Sequence, residues 1–168
     1  MVFFVPGNHD LWLRENTYKD SLDKFWNLVE HCRALDIRTN PVKINPSSEA
    51  GAVWIVPMYS WYVKPEEGRD TLFLEKPGED PTLKMWSDNY LIRWPGEKHG
   101  GDISEYFLEL NARYLKTGFR SKVITFSHFL PRQELIFSLS WPLDRERLKR
   151  MDRVPAFNFS RVAGSSNL

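Results

Sequence analysis

Apolar residues fall into a few clusters along the chain, and the spacing within each cluster predicts its secondary structure. Residues 2–5, 52–57 and 123–126 form continuous apolar runs, which are typical of strands buried on both faces in a sheet covered by helices. Residues 20–35 and 102–116 instead carry apolar side chains at the spacing of one helix face. Because strands and helices alternate, the pattern predicts an α/β protein whose strands meet in one sheet.

Shorter patterns predict the remaining elements. Residues 42–45 and 158–163 each have the composition of a short strand. Residues 144–150 are basic and compatible with a helix, which is typical of a solvated face. Ser104 or Asp102 is the expected N-cap of the second long helix, because either side chain can accept a hydrogen bond from a free backbone amide.

The segment 64–101 is unusually long for a connection inside one domain. It is rich in Pro, Gly, Asp and Glu, and it also contains Trp86, Tyr90 and Trp94. Long connections are usually lids, binding loops or disordered segments, and disordered segments are poor in aromatic residues. We therefore interpret this segment as an ordered insertion at the rim of an active site that shapes substrate access, in preference to a purely structural excursion.

Composition limits the classes of protein to which the chain can belong. Its 168 residues are 42% hydrophobic and 27% charged, as in an ordinary single globular domain. A formal net charge of +1 gives no reason to expect nucleic acid or an anionic membrane as the main partner. No apolar stretch is long enough to span a bilayer, so a cytoplasmic or organelle-lumen location is expected, although a targeting segment could be missing.

The single cysteine excludes two further classes of site. Cys32 is the only cysteine in the sequence, so it can form neither an intrachain disulfide nor a thiolate cluster for metal. It lies inside a helical pattern, where a small buried apolar side chain is the expected role.

Candidate catalytic residues follow two of the apolar runs. A turn containing Gly7 leads into Asn8, His9 and Asp10, and the run 123–126 is followed by His128. Ligand sites in sheets of this kind lie just beyond the carboxyl ends of the strands. A simple turn, in which Asn8 and Asp10 bond their own backbone, would explain those two residues but not the histidines.

These two blocks resemble signature motifs of the calcineurin-like metallophosphoesterases. The first is the string Gly-Asn-His-Asp at residues 7–10, and the second is a strand followed by Ser-His-Phe-Leu-Pro at residues 127–131. The resemblance implies an αββα sandwich of mixed sheets flanked by helices, which hydrolyses phosphate esters at a dinuclear metal centre. Three other blocks of that family, Asp-x-His, Gly-Asp-x-x-Asp and Gly-His-x-His, are not found. Residues 1–168 are therefore expected to be an internal part of a longer enzyme.

The resemblance also implies a role for each candidate residue. Asn8 and His128 would bind the same metal of a pair of divalent or trivalent ions, for which manganese, zinc and iron are all compatible. His9 would donate a proton to the leaving group, as an imidazole can near neutral pH. Asp10, grouped with His9 in the catalytic loop, would fix that loop by hydrogen bonds. Since most of the metal ligands lie outside this chain, the chain alone is expected to be inactive.

Other residues are weaker candidates for substrate contacts. The strand at residues 52–57 is followed by Tyr59, Trp61 and Tyr62, which could stack on a substrate or pack in the core or at its rim. Arg132 could bind a phosphate in bidentate fashion or simply face solvent.

Two alternatives to the enzyme hypothesis remain open from sequence. One is a degenerate member or fragment of the family that acts as a binding module without catalysis, taking a partner or a nucleotide. The other is an unrelated α/β protein in which the turns of His9 and His128 never meet. The expected partner is a phosphate-ester substrate, with no membrane or specific nucleic acid, and the oligomeric state is left open.

Overall fold

Within the part of the chain that the structure describes, four α-helices and five short strands form a mixed α/β structure. The computed structural model describes residues 1–45, 47, 51–116, 118–136 and 156–168. In chain order its elements are β1 (Val2–Phe3), α1 (Asn8–Leu11), α2 (Ser21–Ala34), β2 (Ile37–Arg38), β3 (Val42–Ile44), β4 (Val53–Met58), α3 (Asp88–Leu91), α4 (Gly100–Leu115) and β5 (Lys122–Ser127). The predicted basic helix at residues 144–150 lies outside the described residues.

The strands form two small sheets, whereas the sequence predicted one. β1 pairs in parallel with β2, and β4 pairs antiparallel with β3 and in parallel with β5. The parallel register places Met58 opposite Ser127, so the carboxyl ends of β4 and β5 lie side by side. Residues that follow these two strands therefore start from the same edge of the sheet. The α/β class is confirmed, but the αββα sandwich is not.

The first and last strands are not buried on both faces, contrary to the expectation from their apolar runs. β1 contains only two residues, and Val2 is 59% exposed. In β5, Ile124 is 54% exposed. An apolar run fits a doubly covered strand, but the described residues supply no second layer over these two strands.

Helix α2 confirms the predicted amphipathic helix and shows why it starts where it does. The Asp20 side chain accepts hydrogen bonds from the amides of Leu22 (3.0 Å) and Asp23 (2.8 Å), which would otherwise lack partners. The helix then buries Phe25 and Val29 against the core. The apolar face found in the sequence is the packed face.

Helix α4 starts two residues before the predicted helix and has a different cap. The N-cap is His99, whose ring accepts from the amide of Gly101 at 3.1 Å. Asp102 reaches back and accepts from the His99 amide at 3.0 Å. The prediction of Ser104 or Asp102 as the N-cap is therefore wrong, because the pair His99 and Asp102 satisfies the free amides as a reciprocal capping box.

The long segment at 64–101 is ordered, and it contributes to the core. Leu72, Leu83 and Trp94 are 2%, 3% and 9% exposed. The segment contains the one-turn helix α3, which brings Asp88 into the interior. The segment thus packs with the rest of the chain, and it supplies a polar group to the site described below.

Near the chain end, a single helical turn replaces the predicted strand. Residues Phe159–Val162 form a 3-10 helix, and the Asn158 side chain accepts from the amide of Ser160 at 3.1 Å. This local bond favours a turn over an extended strand. Within the described residues, no helix combines the length and apolarity needed to cross a membrane.

Candidate functional site

The turn after β1 is held by the side chain of Asp10. Its Oδ2 accepts a hydrogen bond from the backbone amide of Gly7 at 2.8 Å, across the start of α1. This is the loop-fixing bond expected for Asp10, while any part that Asp10 takes in the chemistry stays a prediction. Asn8 is buried by the same turn, and His9 is exposed.

Gly7 is required for the close approach of a second turn. A Cβ atom placed on Gly7 would lie 2.4 Å from Cε1 and 2.5 Å from Nδ1 of His128. A side chain at these distances would force the His128 ring to shift, so a glycine is what lets the imidazole ring rest on the backbone here. The two turns therefore meet, although 120 positions in the sequence separate Asn8 from His128.

The turn that carries His128 is fixed from both sides. The hydroxyl of Ser60, just beyond β4, accepts from the amide of Phe129 at 3.1 Å. The hydroxyl of Ser127 donates to the carbonyl of Phe129 at 2.7 Å. The ring of Phe129 then contacts the imidazole of His128 edge-on, with 4.7 Å between centroids. The side-by-side ends of β4 and β5 thus set the position of His128.

Asn8 and His128 are in direct contact. Nε2 of His128 lies 3.1 Å from Oδ1 of Asn8. The alternative in which these turns never meet is thereby excluded. What the pair does there, metal binding included, stays a prediction.

Asp88 forms the buried base of this site. Its carboxylate accepts from Nδ2 of Asn8 at 2.9 and 3.1 Å, from Nε1 of Trp12 at 2.5 Å and from the hydroxyl of Tyr62 at 3.1 Å. Asp88 is 3% exposed, so these donors replace the water that a carboxylate would otherwise need. Burial, and next the charge of Asp88, raise the pKa of Tyr62, which keeps that phenol neutral.

The hydrogen bonds assign one tautomer to His128. Asn8 gives its amide protons to the acceptor-only carboxylate of Asp88, so its carbonyl oxygen must face His128. Nε2 of His128 is then the protonated nitrogen, and in the neutral ring Nδ1 keeps a free lone pair. Partial burial lowers the pKa of His128, which favours that neutral ring at pH 7.

His9 lies at the surface beside this network. Its ring stacks on Trp12 with centroids 3.9 Å apart and an angle of 33° between planes. Trp12 is in turn anchored to Asp88 through its indole N–H. The imidazole of His9 is thus oriented by a residue tied to the buried carboxylate, while it remains accessible to a ligand.

The weaker candidates lie away from this centre. Tyr59 and Trp61 are 5% and 2% exposed and pack against other aromatic rings, which favours the core alternative over substrate stacking. The side chain of Arg132 is 74% exposed and lies 3.9 Å from Glu134. Of the two expectations for Arg132, phosphate binding and exposure to solvent, the structure therefore favours exposure to solvent.

Sequence reasoning missed Asp88. It is one of several acidic residues in the segment 64–101, and no local pattern separates it from its neighbours. Its importance comes from the four donor contacts that surround it, and those donors come from two other parts of the chain, residues 8–12 and Tyr62. Only the folded chain identifies it.

The described residues do not complete a metal site. Within them, no group of three or more His, Cys, Asp or Glu side chains is placed to hold a metal ion. Asn8 and His128 supply two donor atoms. His9, which follows Asn8 in the first turn, packs its ring against Trp12 instead. Whether manganese, zinc or iron binds here stays a prediction.

The fold and the site define a mixed α/β protein in which Asn8 and His128 meet near the ends of two strands. Comparison with known proteins finds similarity to a solved structure. No protein-family model matches the chain, and no curated protein is similar to it in sequence. Among solved structures, the crystal structure of phosphopantetheinyl hydrolase (PptH) from Mycobacterium tuberculosis matches with a TM-score of 0.60 and 17% identity. The match covers 84% of this chain and 52% of that one, so the chain spans about half of that protein. At this identity the likeness is evidence for the fold alone.

These findings overturn the prediction of a calcineurin-like metallophosphoesterase. The matched structure is named as a phosphopantetheinyl hydrolase, and no family model supports the earlier assignment. The predicted dinuclear phosphoesterase centre is likewise unsupported, because the described residues contain no cluster of metal ligands. The two motifs that suggested the family are short, and strings of that length occur by chance in other proteins.

Proposed function

We propose that this chain is part of a hydrolase whose active site is formed by Asn8, His9 and His128. The contact of Nε2 of His128 with Oδ1 of Asn8, at 3.1 Å, carries the proposal, because it joins the two histidine-bearing turns at one place. The name of the matched structure supports the reaction class, and its substrate class, a phosphopantetheinyl compound, is the one we propose here.

Two imidazoles on one site suit hydrolysis. Nδ1 of the neutral His128 can accept a proton from an attacking water molecule, and the exposed His9 can donate one to the leaving group. An imidazole serves both roles near neutral pH because its ordinary pKa is about 6.5. The division of roles is part of the proposal and is tested by the two substitutions below.

The buried network would supply rigidity to this chemistry. Asp88 fixes the amide of Asn8, which fixes the ring of His128, and Asp88 also anchors Trp12, on which His9 stacks. Catalytic groups must be held close to the productive geometry, and side chains locked by packing and hydrogen bonds achieve this. We assign Asp88 as a positioning residue, since it is 3% exposed and its carboxylate is taken up by the hydrogen bonds from Asn8, Trp12 and Tyr62.

The test is incorporation of oxygen-18 from water into the products of a phosphopantetheine conjugate. The probe is the p-nitrophenyl phosphodiester of pantetheine, and mass spectrometry detects even slow turnover. The expectation that the chain alone is inactive rested on missing metal ligands, and the proposed site lies within this chain, so we expect label in the products with the wild-type chain. The rate should be at least about 100-fold lower with His128→Gln. His9→Gln should lower it by a smaller factor, because p-nitrophenolate can leave without receiving a proton. His31→Gln is the matched control, because His31 is exposed on α2.

Two outcomes would contradict the proposal. If the wild-type chain binds the probe but the products carry no label, the chain binds the compound without hydrolysing it, as in the binding-module alternative. Label that is unaffected by either substitution would place the chemistry elsewhere.

A further inference from the structure

A second pocket lies away from the Asn8 and His128 site and shares none of its residues. It has a volume of about 380 Å³ and is bordered by the last turns of α2 and α4 and by residues 36–40. We refer to it as the arginine pocket, after the three arginines that line it, Arg33, Arg38 and Arg113. Small-molecule sites start at about 300 Å³, so the arginine pocket can hold a small ligand.

The arginine pocket carries an excess of positive charge. The carboxylate in its lining is Asp36, which lies 2.7 Å from Nη2 of Arg38. Within the described part of the chain, Arg33 and Arg113 have no carboxylate at ion-pair distance. Each lies in the last turn of a helix, where the partial negative charge of about half a unit offsets only part of a guanidinium. An anion would therefore be attracted.

Arg38 presents a hydrogen-bond donor without an acceptor. Its Nε is buried and makes no hydrogen bond with any described residue. Buried donors that lack a partner are rare in proteins, and such a group calls for an acceptor. Asp36 already takes Nη2 of Arg38, so Nε is the buried donor that this guanidinium still offers to a phosphate or carboxylate oxygen.

The remaining wall of the pocket combines apolar side chains with the polar Thr39 and Asn40. Val29 and Leu110 belong to the core, and Trp26 is 41% exposed. The buried Tyr59, a predicted substrate contact, borders this pocket as well. A ligand that filled the pocket would therefore bring an apolar body next to its anionic group.

We infer that the arginine pocket binds a small organic phosphate, with the phosphate on Arg38 between Arg33 and Arg113 and an apolar arm against Trp26 and Leu110. This inference is independent of the proposed hydrolase function, because Asn8, His9 and His128 do not line the arginine pocket. Three arginines favour a phosphate over a single carboxylate, since a phosphate offers more charge and more acceptor oxygens.

The probe for the test is phenylphosphonate, which combines an anionic phosphonate group with an apolar ring. It has no ester bond that could be hydrolysed. The Nε–Hε signal of Arg38 in a nitrogen-15 correlation spectrum reports binding at the atom, and calorimetry gives the affinity. We expect that signal to shift and Arg38→Gln to weaken binding about tenfold or more, since it removes a hydrogen bond to a charged group. Arg113→Gln should weaken binding by a smaller factor. Arg120→Gln, exposed and outside the pocket, is the matched control and should leave affinity unchanged.

Inorganic phosphate and phenol separate the two parts of the ligand. Both should bind at least about tenfold more weakly than phenylphosphonate, because each lacks one of the two contacts. If Arg38→Gln does not fold, two measurements still test the site: the shift of the Arg38 signal in the wild-type chain and the affinity of Arg113→Gln for phenylphosphonate. A silent Arg38 signal, equal affinity for phenol, or full affinity in both variants would overturn the site. Equal affinity for inorganic phosphate would overturn the apolar arm.

Discussion

Replacement of Asp88 by alanine is the sharpest test of how the candidate site is held together. In the native protein its carboxylate accepts hydrogen bonds from Asn8, Trp12 and Tyr62, and all of these contacts are buried or partly buried. Asp88→Ala leaves three donors facing a cavity in the interior. Asp88→Asn keeps one acceptor oxygen but turns an amide toward the other donors.

The expected cost follows from the number of orphaned donors. Each buried donor without an acceptor costs about 1–3 kcal/mol. The rotatable hydroxyl of Tyr62 can relax more easily than the amide of Asn8 or the indole of Trp12, so we expect about 3–6 kcal/mol for Asp88→Ala. For Asp88→Asn we expect about 1–2 kcal/mol, because its carbonyl oxygen can still serve the donors on one side. A domain is stable by about 5–15 kcal/mol, so Asp88→Ala should remove a large fraction of the stability.

Urea denaturation followed by circular dichroism measures both free energies of unfolding. Glu30→Gln removes the same charge from an exposed position on α2 and should change the free energy by less than about 0.5 kcal/mol. A nitrogen-15 spectrum of the His128 ring adds a second readout. In Asp88→Asn, loss of the fixed Asn8 amide should alter the Nε2 signal even where the fold persists.

The reasoning would be refuted by a small or uniform effect. A loss below about 1 kcal/mol for Asp88→Ala would mean that the donors find other partners. Equal losses for the alanine and asparagine variants would mean that the acceptor oxygens do not matter.

Two further predictions test the packing around the same site. Gly7→Ala should displace the ring of His128, because a Cβ there would lie 2.4 Å from it. NMR spectra should then lose the contacts between the backbone amides of this turn and the His128 ring, while the circular dichroism spectrum is retained. A ring that keeps these contacts would contradict the prediction. Tyr62→Phe should remove part of the fall in stability above pH 10. The folded protein raises the pKa of Tyr62, so the unfolded chain loses this proton first and stability is lost as pH rises. Unfolding free energies at pH 8 to 11 test this, and parallel curves for wild type and variant would contradict it.

Local pattern was sufficient to predict most helices and strands. The apolar spacing from residue 20 identified α2, and the spacing from residue 102 identified most of α4. These predictions succeed because side-chain period and backbone geometry are properties of neighbouring residues. The start of α4 was wrong because capping by the ring of His99 is a less common choice than Ser or Asp.

Family assignment from short motifs failed. The strings around His9 and His128 located a real meeting point, yet no family model matches the chain, and the matched solved structure is of a protein named phosphopantetheinyl hydrolase. A four-residue string fixes which side chains stand at a strand end. It does not fix the chemistry, which depends on residues elsewhere in the chain.

The sequence by itself determined helix α2, most of helix α4, the strands β3, β4 and β5, and the candidate pair Asn8 and His128. The tertiary structure alone decided that a buried Asp88 supports that pair, that Tyr59 and Trp61 belong to the core, and that an arginine pocket forms beyond α2. The physical reason is the range of the interactions. Periodicity and turns act between neighbours, whereas burial, hydrogen-bond partners and electrostatic surroundings are set by residues that only folding brings together.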